Sequence, residues 1–172
     1  MVKLTRVLSQ LNPSKVLVIG DFMLDTYTRG KIKRISPEAP VSVLNAQAEE
    51  SLPGGAGNVV LNLVSLGAQV IAIGRVGSDY AGELIIESLE REGVNVEGIL
   101  VEKKFKTPVK NRFIADSQQV LRVDFEYVTP VSEETKQLAI EKVRKLLEGV
   151  QVVAVSDYGK GFLSRTLLIT TI

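Results

Sequence analysis

Residues 16–21 read Val16-Leu17-Val18-Ile19-Gly20-Asp21: four apolar residues, three of them β-branched, running into a glycine and a carboxylate. So short a run falls below ordinary helical length. With no polar alternation it predicts a strand buried on both faces, as in a parallel sheet. The pattern recurs at Val70–Ile73 and Val152–Val155. Helical patterns separate the three runs. Asn58–Leu66 puts Val59, Val60, Leu63 and Val64 on one side. Asp79–Glu92 follows Ser78 as N-cap and carries a stripe of Ala81, Leu84, Ile85 and Leu89. Ser132–Glu148 opens with Glu133 and Glu134, turns Ala139, Val143, Leu146 and Leu147 inward, and stops before Gly149. Strands alternating with helices predict an α/β layered fold around a mainly parallel sheet.

Two segments break the rhythm. Val41–Glu50 reads as a short strand after the Pro37 and Pro40 loop, and Thr107–Val128 as a β-hairpin turning at Asp116-Ser117. In the second arm Leu121, Val123, Phe125 and Tyr127 share one face, and Arg122, Asp124 and Glu126 the other. A half-polar hairpin suits a separate small sheet better than a parallel core, so segments of about 26–50 and 103–128 are expected to form a β lid.

Composition limits the chemistry. The 172 residues are 45% hydrophobic and 24% charged, with 21 Lys plus Arg against 20 Asp plus Glu. That balance argues against a general nucleic-acid or membrane-surface binder, which carries a clustered basic excess. No Cys and no His are present, so thiol nucleophiles, disulfides, histidine metal sites and a Ser-His-Asp triad are excluded. Met1–Leu11 carries Lys3 and Arg6 without a long apolar run, and no stretch approaches a membrane span; a cytoplasmic protein is expected.

In open parallel sheets, ligands bind beyond the carboxyl ends of the strands. The residues there are Asp21 and Asp25, then Gly74-Arg75-Val76-Gly77-Ser78-Asp79, then Ser156-Asp157-Tyr158-Gly159-Lys160-Gly161. Carboxylates suit sugar hydroxyls and a lysine suits a phosphate, although Gly, Asp and Ser at such places also serve as turn formers and caps. Asp79 sits where a helix N-terminal charge belongs. Pro53-Gly54-Gly55-Ala56-Gly57-Asn58 either brings backbone amides close to a ligand or is a flexible loop with an Asn cap. It fits no dinucleotide fingerprint, and Gly159-Lys160 fits no Walker A loop. Lys103, Lys104 and Lys106 read as a solvated face, whereas Lys110 and Arg112 share a strand face that can reach a phosphate.

Four strings together resemble the kinase domain of the ADP-heptose synthases, within the ribokinase-like (PfkB-type) superfamily. They are Gly20-Asp21-Phe22-Met23-Leu24-Asp25, Arg34-Ile35-Ser36-Pro37-Glu38-Ala39-Pro40-Val41, Pro53–Val59 and Ser156–Gly161. The resemblance spans about Val16 to Gly161. It implies a ribokinase-like three-layer fold with a β lid, and phosphorylation of D-glycero-D-manno-heptose 7-phosphate at its anomeric hydroxyl. ATP and Mg2+ are the implied cofactors, and lipopolysaccharide-core precursor synthesis the implied pathway. By position it implies sugar contacts from Asp21, Asp25, Gly54, Gly55, Asn58 and Asp157, with Lys160 near the phosphates; Lys110 and Arg112 are assigned to the sugar phosphate from charge. It further implies a homodimer through the lid. The family's Gly-Ala-Gly-Asp motif, which holds the catalytic base, is expected beyond Ile172, so the chain reads as truncated. A non-catalytic sugar-binding or dimerising module and another ribokinase-family kinase remain open; an oxidoreductase half-domain is poorly supported because both glycine fingerprints fail.

Overall fold

The computed structural model describes residues 13–171; the reading of Met1–Leu11 falls outside them. Strands β1 (Lys15–Gly20), β4 (Gln69–Gly77), β5 (Asn95–Glu102) and β8 (Val152–Ser156) form one sheet in the order β5-β4-β1-β8, every pair parallel. Helices α1 (Ala56–Ser65) and α2 (Tyr80–Arg91) cover one face, and α3 (Glu133–Leu146) and α4 (Arg165–Thr171) the other.

Strand β1 shows why the apolar runs were continuous. Val16 and Val18 pack with Val60, Ile85 and Leu89 on the α1/α2 side, while Leu17 and Ile19 pack with Ala139, Val143 and Leu167 on the α3/α4 side. Alternate residues enter different cores, so each must be apolar. β8 departs from this expectation. It lies at an edge of the described sheet, and Val152 and Val155 are each 50% exposed. β5 carries no uninterrupted apolar run; Glu97 and Gly98 break it, which is why the sequence pattern does not disclose it.

The lid is a second four-stranded sheet, ordered β3-β2-β6-β7, with β2 (Phe22–Ile35), β3 (Ser42–Gly55), β6 (Val109–Ala115) and β7 (Gln118–Phe125). β2 pairs antiparallel with β3 and parallel with β6, and β6 and β7 form the expected hairpin. Asp116 takes the turn at φ 54°, a conformation Asp tolerates better than most residues.

Three details correct the sequence expectation. The strand predicted at Val41–Glu50 is the 14-residue β3, and it continues through Pro53-Gly54-Gly55 rather than ending in a flexible loop. Gly55, not Asn58, occupies the N-cap of α1, with no side-chain cap, and Asn58 lies exposed within the first helical turn. The N-cap of α2 is Asp79 rather than Ser78; its carboxylate accepts the Gly82 and Thr107 amides, both at 3.0 Å. Among the described residues no helix is long and apolar enough to cross a membrane.

Candidate functional site

The lid meets the sheet at the carboxyl ends of β1 and β8, where Gly20 pairs with Ser156. Strand pairing decides which lid side chains face this corner. Asp25 of β2 is in register with Lys110 of β6, which is in register with Asp124 of β7. Two residues along, Tyr27, Arg112 and Arg122 occupy the next row of the same face. The result is a charged face assembled from three strands. On the opposite face Leu24, Thr26 and Val109 look across a groove of about 500 Å3 toward Tyr80 and Leu84 of α2. A cleft of about 520 Å3 lined by Lys15, Gln69 and Asn95 lies at the amino ends of the strands, away from this corner.

Asp25 and Arg112, predicted for different parts of a ligand, are bonded to each other: Arg112 Nη1 donates to Asp25 Oδ1 at 2.8 Å. The Asp25 carboxylate raises the guanidinium pKa above its ordinary value against the opposing effect of burial. Tyr27 supports the guanidinium, its ring centroid 5.1 Å away. The rest of the Asp25 carboxylate lies where a side chain on Gly54 would be, so glycine there lets a carboxylate approach the β3 backbone. Gly55 has φ 59°, and the neighbouring Ala56 N–H donates to the Asp21 carbonyl at 2.9 Å. These contacts bring the ends of β1, β2 and β3 together.

Asp21 has a different setting. It is buried, and its carboxylate accepts three backbone amides of the loop after β8: Tyr158 and Lys160 at 3.0 Å each and Phe162 at 3.4 Å. A carboxylate holding several backbone N–H groups fixes their loop firmly. What Asp21 offers a ligand is thus the shape of that loop. Asp157 lies exposed at its start and caps Gly159 locally, Oδ1 accepting at 2.8 Å.

The decisive residue that sequence reasoning passed over is Arg75. It stands within the strand-end string Gly74–Asp79 and is 2% exposed. Its guanidinium forms an ion pair with Glu102 at 2.8 Å, stacks 3.9 Å from the centroid of Phe105, and donates to the carbonyls of Thr129, Pro130 and Lys160. It thereby ties the lid's exit, residues 126–132, to the loop after β8; Val131 N–H donating to the Gly161 carbonyl at 2.9 Å adds a second tie. A third is ionic: Lys160 Nζ lies 2.7 Å from Glu126 Oε2, with Lys110 Nζ 3.6 Å from the same oxygen. The signal that marks Arg75 is an arginine inside an apolar strand, Ile71-Ala72-Ile73-Gly74-Arg75-Val76, because a buried charge must find partners.

Asp21, Asp25, Gly54, Gly55, Lys110, Arg112 and Lys160 therefore gather at one corner, whereas Asn58 and Asp157 lie exposed and make local bonds, the Asn58 carbonyl with Asn62 and the Asp157 carboxylate with Gly159. The donor set suits hydroxyls and an anion. Among the described residues no three carboxylates converge as a metal cage.

The model for the "pfkB family carbohydrate kinase" matches residues 13–170. The chain belongs to the pfkB family of carbohydrate kinases. Within that family it is similar to bifunctional protein HldE of Mesorhizobium japonicum, 43% identical over 160 residues, covering 93% of this chain and 32% of that protein. Its similarity to the Wolinella succinogenes HldE is 44% over 156 residues, covering 91% and 33%. The chain thus spans about a third of the length of the curated relatives it matches. Among solved structures, Arabidopsis thaliana ribokinase in complex with ribose and ATP superposes with TM-score 0.57 at 19% identity, over 84% of this chain and 45% of that one. The 2-dehydro-3-deoxygluconokinase of Thermotoga maritima gives 0.60 at 20%, over 83% and 40%. At these identities the likeness establishes the fold: this pfkB chain has the ribokinase-like three-layer architecture with its β lid.

Proposed function

We propose that this chain forms the sugar-binding part of an ATP-dependent kinase acting on D-glycero-D-manno-heptose 7-phosphate at its anomeric hydroxyl, in the supply of ADP-heptose for lipopolysaccharide core. The observation carrying this reading is the junction of Asp25, Gly54 and Arg112 with Lys110 and Lys160 at one corner, which joins hydroxyl acceptors to anion-binding cations. Similarity to HldE proteins supports the heptose phosphate as the particular sugar. In this reading Asp25 accepts from sugar hydroxyls, Arg112 orients the Asp25 carboxylate and borders the sugar phosphate, and Asp21 shapes the loop that presents Lys160. Gly55 and Asn58, at the start of α1, border the sugar, as does Asp157.

ATP supplies the phosphoryl group, and Mg2+, which commonly takes one or two carboxylates together with substrate phosphates, would neutralise its charge. Lid pairing between two copies is part of the same proposal; the exposed Ile35, Val41, Leu121, Phe125 and Tyr127 on the lid support it.

Calorimetry of the full-length kinase tests the assignment. Asp25→Ala is expected to weaken heptose 7-phosphate binding by about 10-fold or more, the scale of a hydrogen bond to a charged group, while leaving ATP affinity nearly unchanged. Equal sugar affinity in the two proteins would reject Asp25 as the sugar carboxylate. A second reading, a sugar-binding module without catalysis, predicts sugar binding but no phosphoryl transfer; ATP-dependent phosphorylation by the 172-residue chain itself would overturn it.

A further inference from the structure

Glu126 lies one residue beyond β7, where the chain leaves the lid. Its Oε2 atom is buried and reaches no backbone N–H. Its partners are two ammonium groups, Lys160 Nζ at 2.7 Å from the core loop and Lys110 Nζ at 3.6 Å from the lid. Both lysine side chains are largely enclosed, 14% and 17% exposed.

The backbone that carries Lys160 is anchored: its N–H donates to Asp21 and its carbonyl accepts from Arg75, each at 3.0 Å. Lys110 is steadied by Asp124 at 3.2 Å, which Arg122 also contacts at 2.9 Å. The Lys160 ammonium, in an ion pair with it at 2.7 Å, holds the Glu126 carboxyl below the ordinary glutamate range, with burial opposing it and the Lys110 charge adding to it. Two enclosed cations meeting one carboxylate oxygen form a site whose charge suits a single anion.

We propose that Glu126 is an internal stand-in for a phosphate monoester: it occupies the Lys110–Lys160 subsite in the empty protein and is displaced when a phosphate dianion enters. The inference rests on the reading of these two lysines as phosphate-contacting and adds to it a built-in competitor. A dianion carries more charge than the carboxylate it replaces, so phosphorylated ligands exchange with Glu126 and neutral sugars do not. Displacement also removes the ionic tie between the lid's exit and the core loop, leaving the Arg75 and Val131 contacts to hold them together.

Calorimetric titration of the chain with inorganic phosphate tests this directly. Glu126→Gln is expected to bind phosphate at least ~5-fold more tightly than the unaltered chain, the lower end of typical coupling between competing ligands. Lys160→Met is expected to lose the binding. Equal or weaker binding by Glu126→Gln, or no phosphate binding by either protein, overturns the proposal. A second measurement needs no substitution: the carboxyl 13C resonance of Glu126, followed through a phosphate titration at about pH 8, where phosphate is mainly the dianion, should shift as its contacts with Lys160 and Lys110 are lost. A saturating phosphate concentration that leaves that resonance unmoved also overturns it. Parallel titrations with heptose 7-phosphate and ATP separate the two readings. If inorganic phosphate and ATP displace Glu126 while heptose 7-phosphate does not, the subsite stands and the heptose assignment fails.

Discussion

Arg75 and Asp21 do complementary work on one loop: a buried cation collects its carbonyl, a buried anion its amides. For Arg75 the charge is balanced by Glu102. Removing one partner of a buried pair leaves the other uncompensated, so Glu102→Gln is expected to lower unfolding free energy by about 3 kcal/mol in urea denaturation. Burial by itself raises the Glu102 carboxyl pKa, but hydrogen bonds from Arg75 and Ser132 outweigh it and the net shift is downward. A depressed folded-state pKa gives stability that is present above the unfolded value of ~4.3 and lost as pH falls through the folded one. Urea midpoints measured from pH 6 down to pH 3 should fall less steeply in Glu102→Gln than in the unaltered chain; parallel curves would reject this coupling. For Asp21 the readout is local. Asp21→Asn has one acceptor oxygen in place of two, and hydrogen exchange at the Tyr158, Lys160 and Phe162 amides should accelerate. Unchanged protection there would show that the loop holds itself.

At the scale of elements, the junction of β3 with α1 carries a backbone constraint that its sequence only hints at. Gly55 adopts φ 59° with ψ −126°, and a side chain there would also meet the Asp21 carbonyl. Gly55→Ala is therefore expected to cost about 1–3 kcal/mol, seen as a lower denaturation midpoint. Gly67 is a useful control: it also has positive φ, but nothing lies near a Cβ built there. Gly67→Ala should show the backbone strain without the collision, and so a smaller loss. Equal losses would mean that the crowding at Asp21 contributes nothing. The β6–β7 hairpin was legible because Leu121–Phe125 alternates and the two-residue turn contains Asp116. β5 was not, since a strand whose exposure varies along its length leaves no clear period.

For the molecule as a whole, two sheets serve two purposes. The parallel sheet holds the chain ends of β1, β4 and β8 at one edge, and the lid crosses that edge with a charged face. Beyond Arg29, β2 and β3 extend as a ribbon with little burial, its exposed apolar residues including Ile35 at 61% and Val41 at 56%. Under the proposed lid pairing, Ile35→Asp combined with Val41→Asp should shift sedimentation toward monomer at micromolar concentration while leaving circular dichroism unchanged. A monomeric unaltered chain, or a dimer indifferent to both changes, would remove the lid as the pairing surface.

The sequence by itself determined the α/β class, the parallel core, the hairpin and the strand-end residues worth suspecting. Those follow from hydrophobic periodicity and from the preference of glycine and carboxylates for turns, which act over a few neighbouring positions. Tertiary structure alone decided which suspects meet. Asp25 finds Arg112 across 87 positions, Asp21 finds Lys160 across 139, and Arg75 bonds to Thr129, Pro130 and Lys160. A charge's partner is set by strand order and lid placement, which bring distant segments within hydrogen-bond reach, and no local pattern records that proximity.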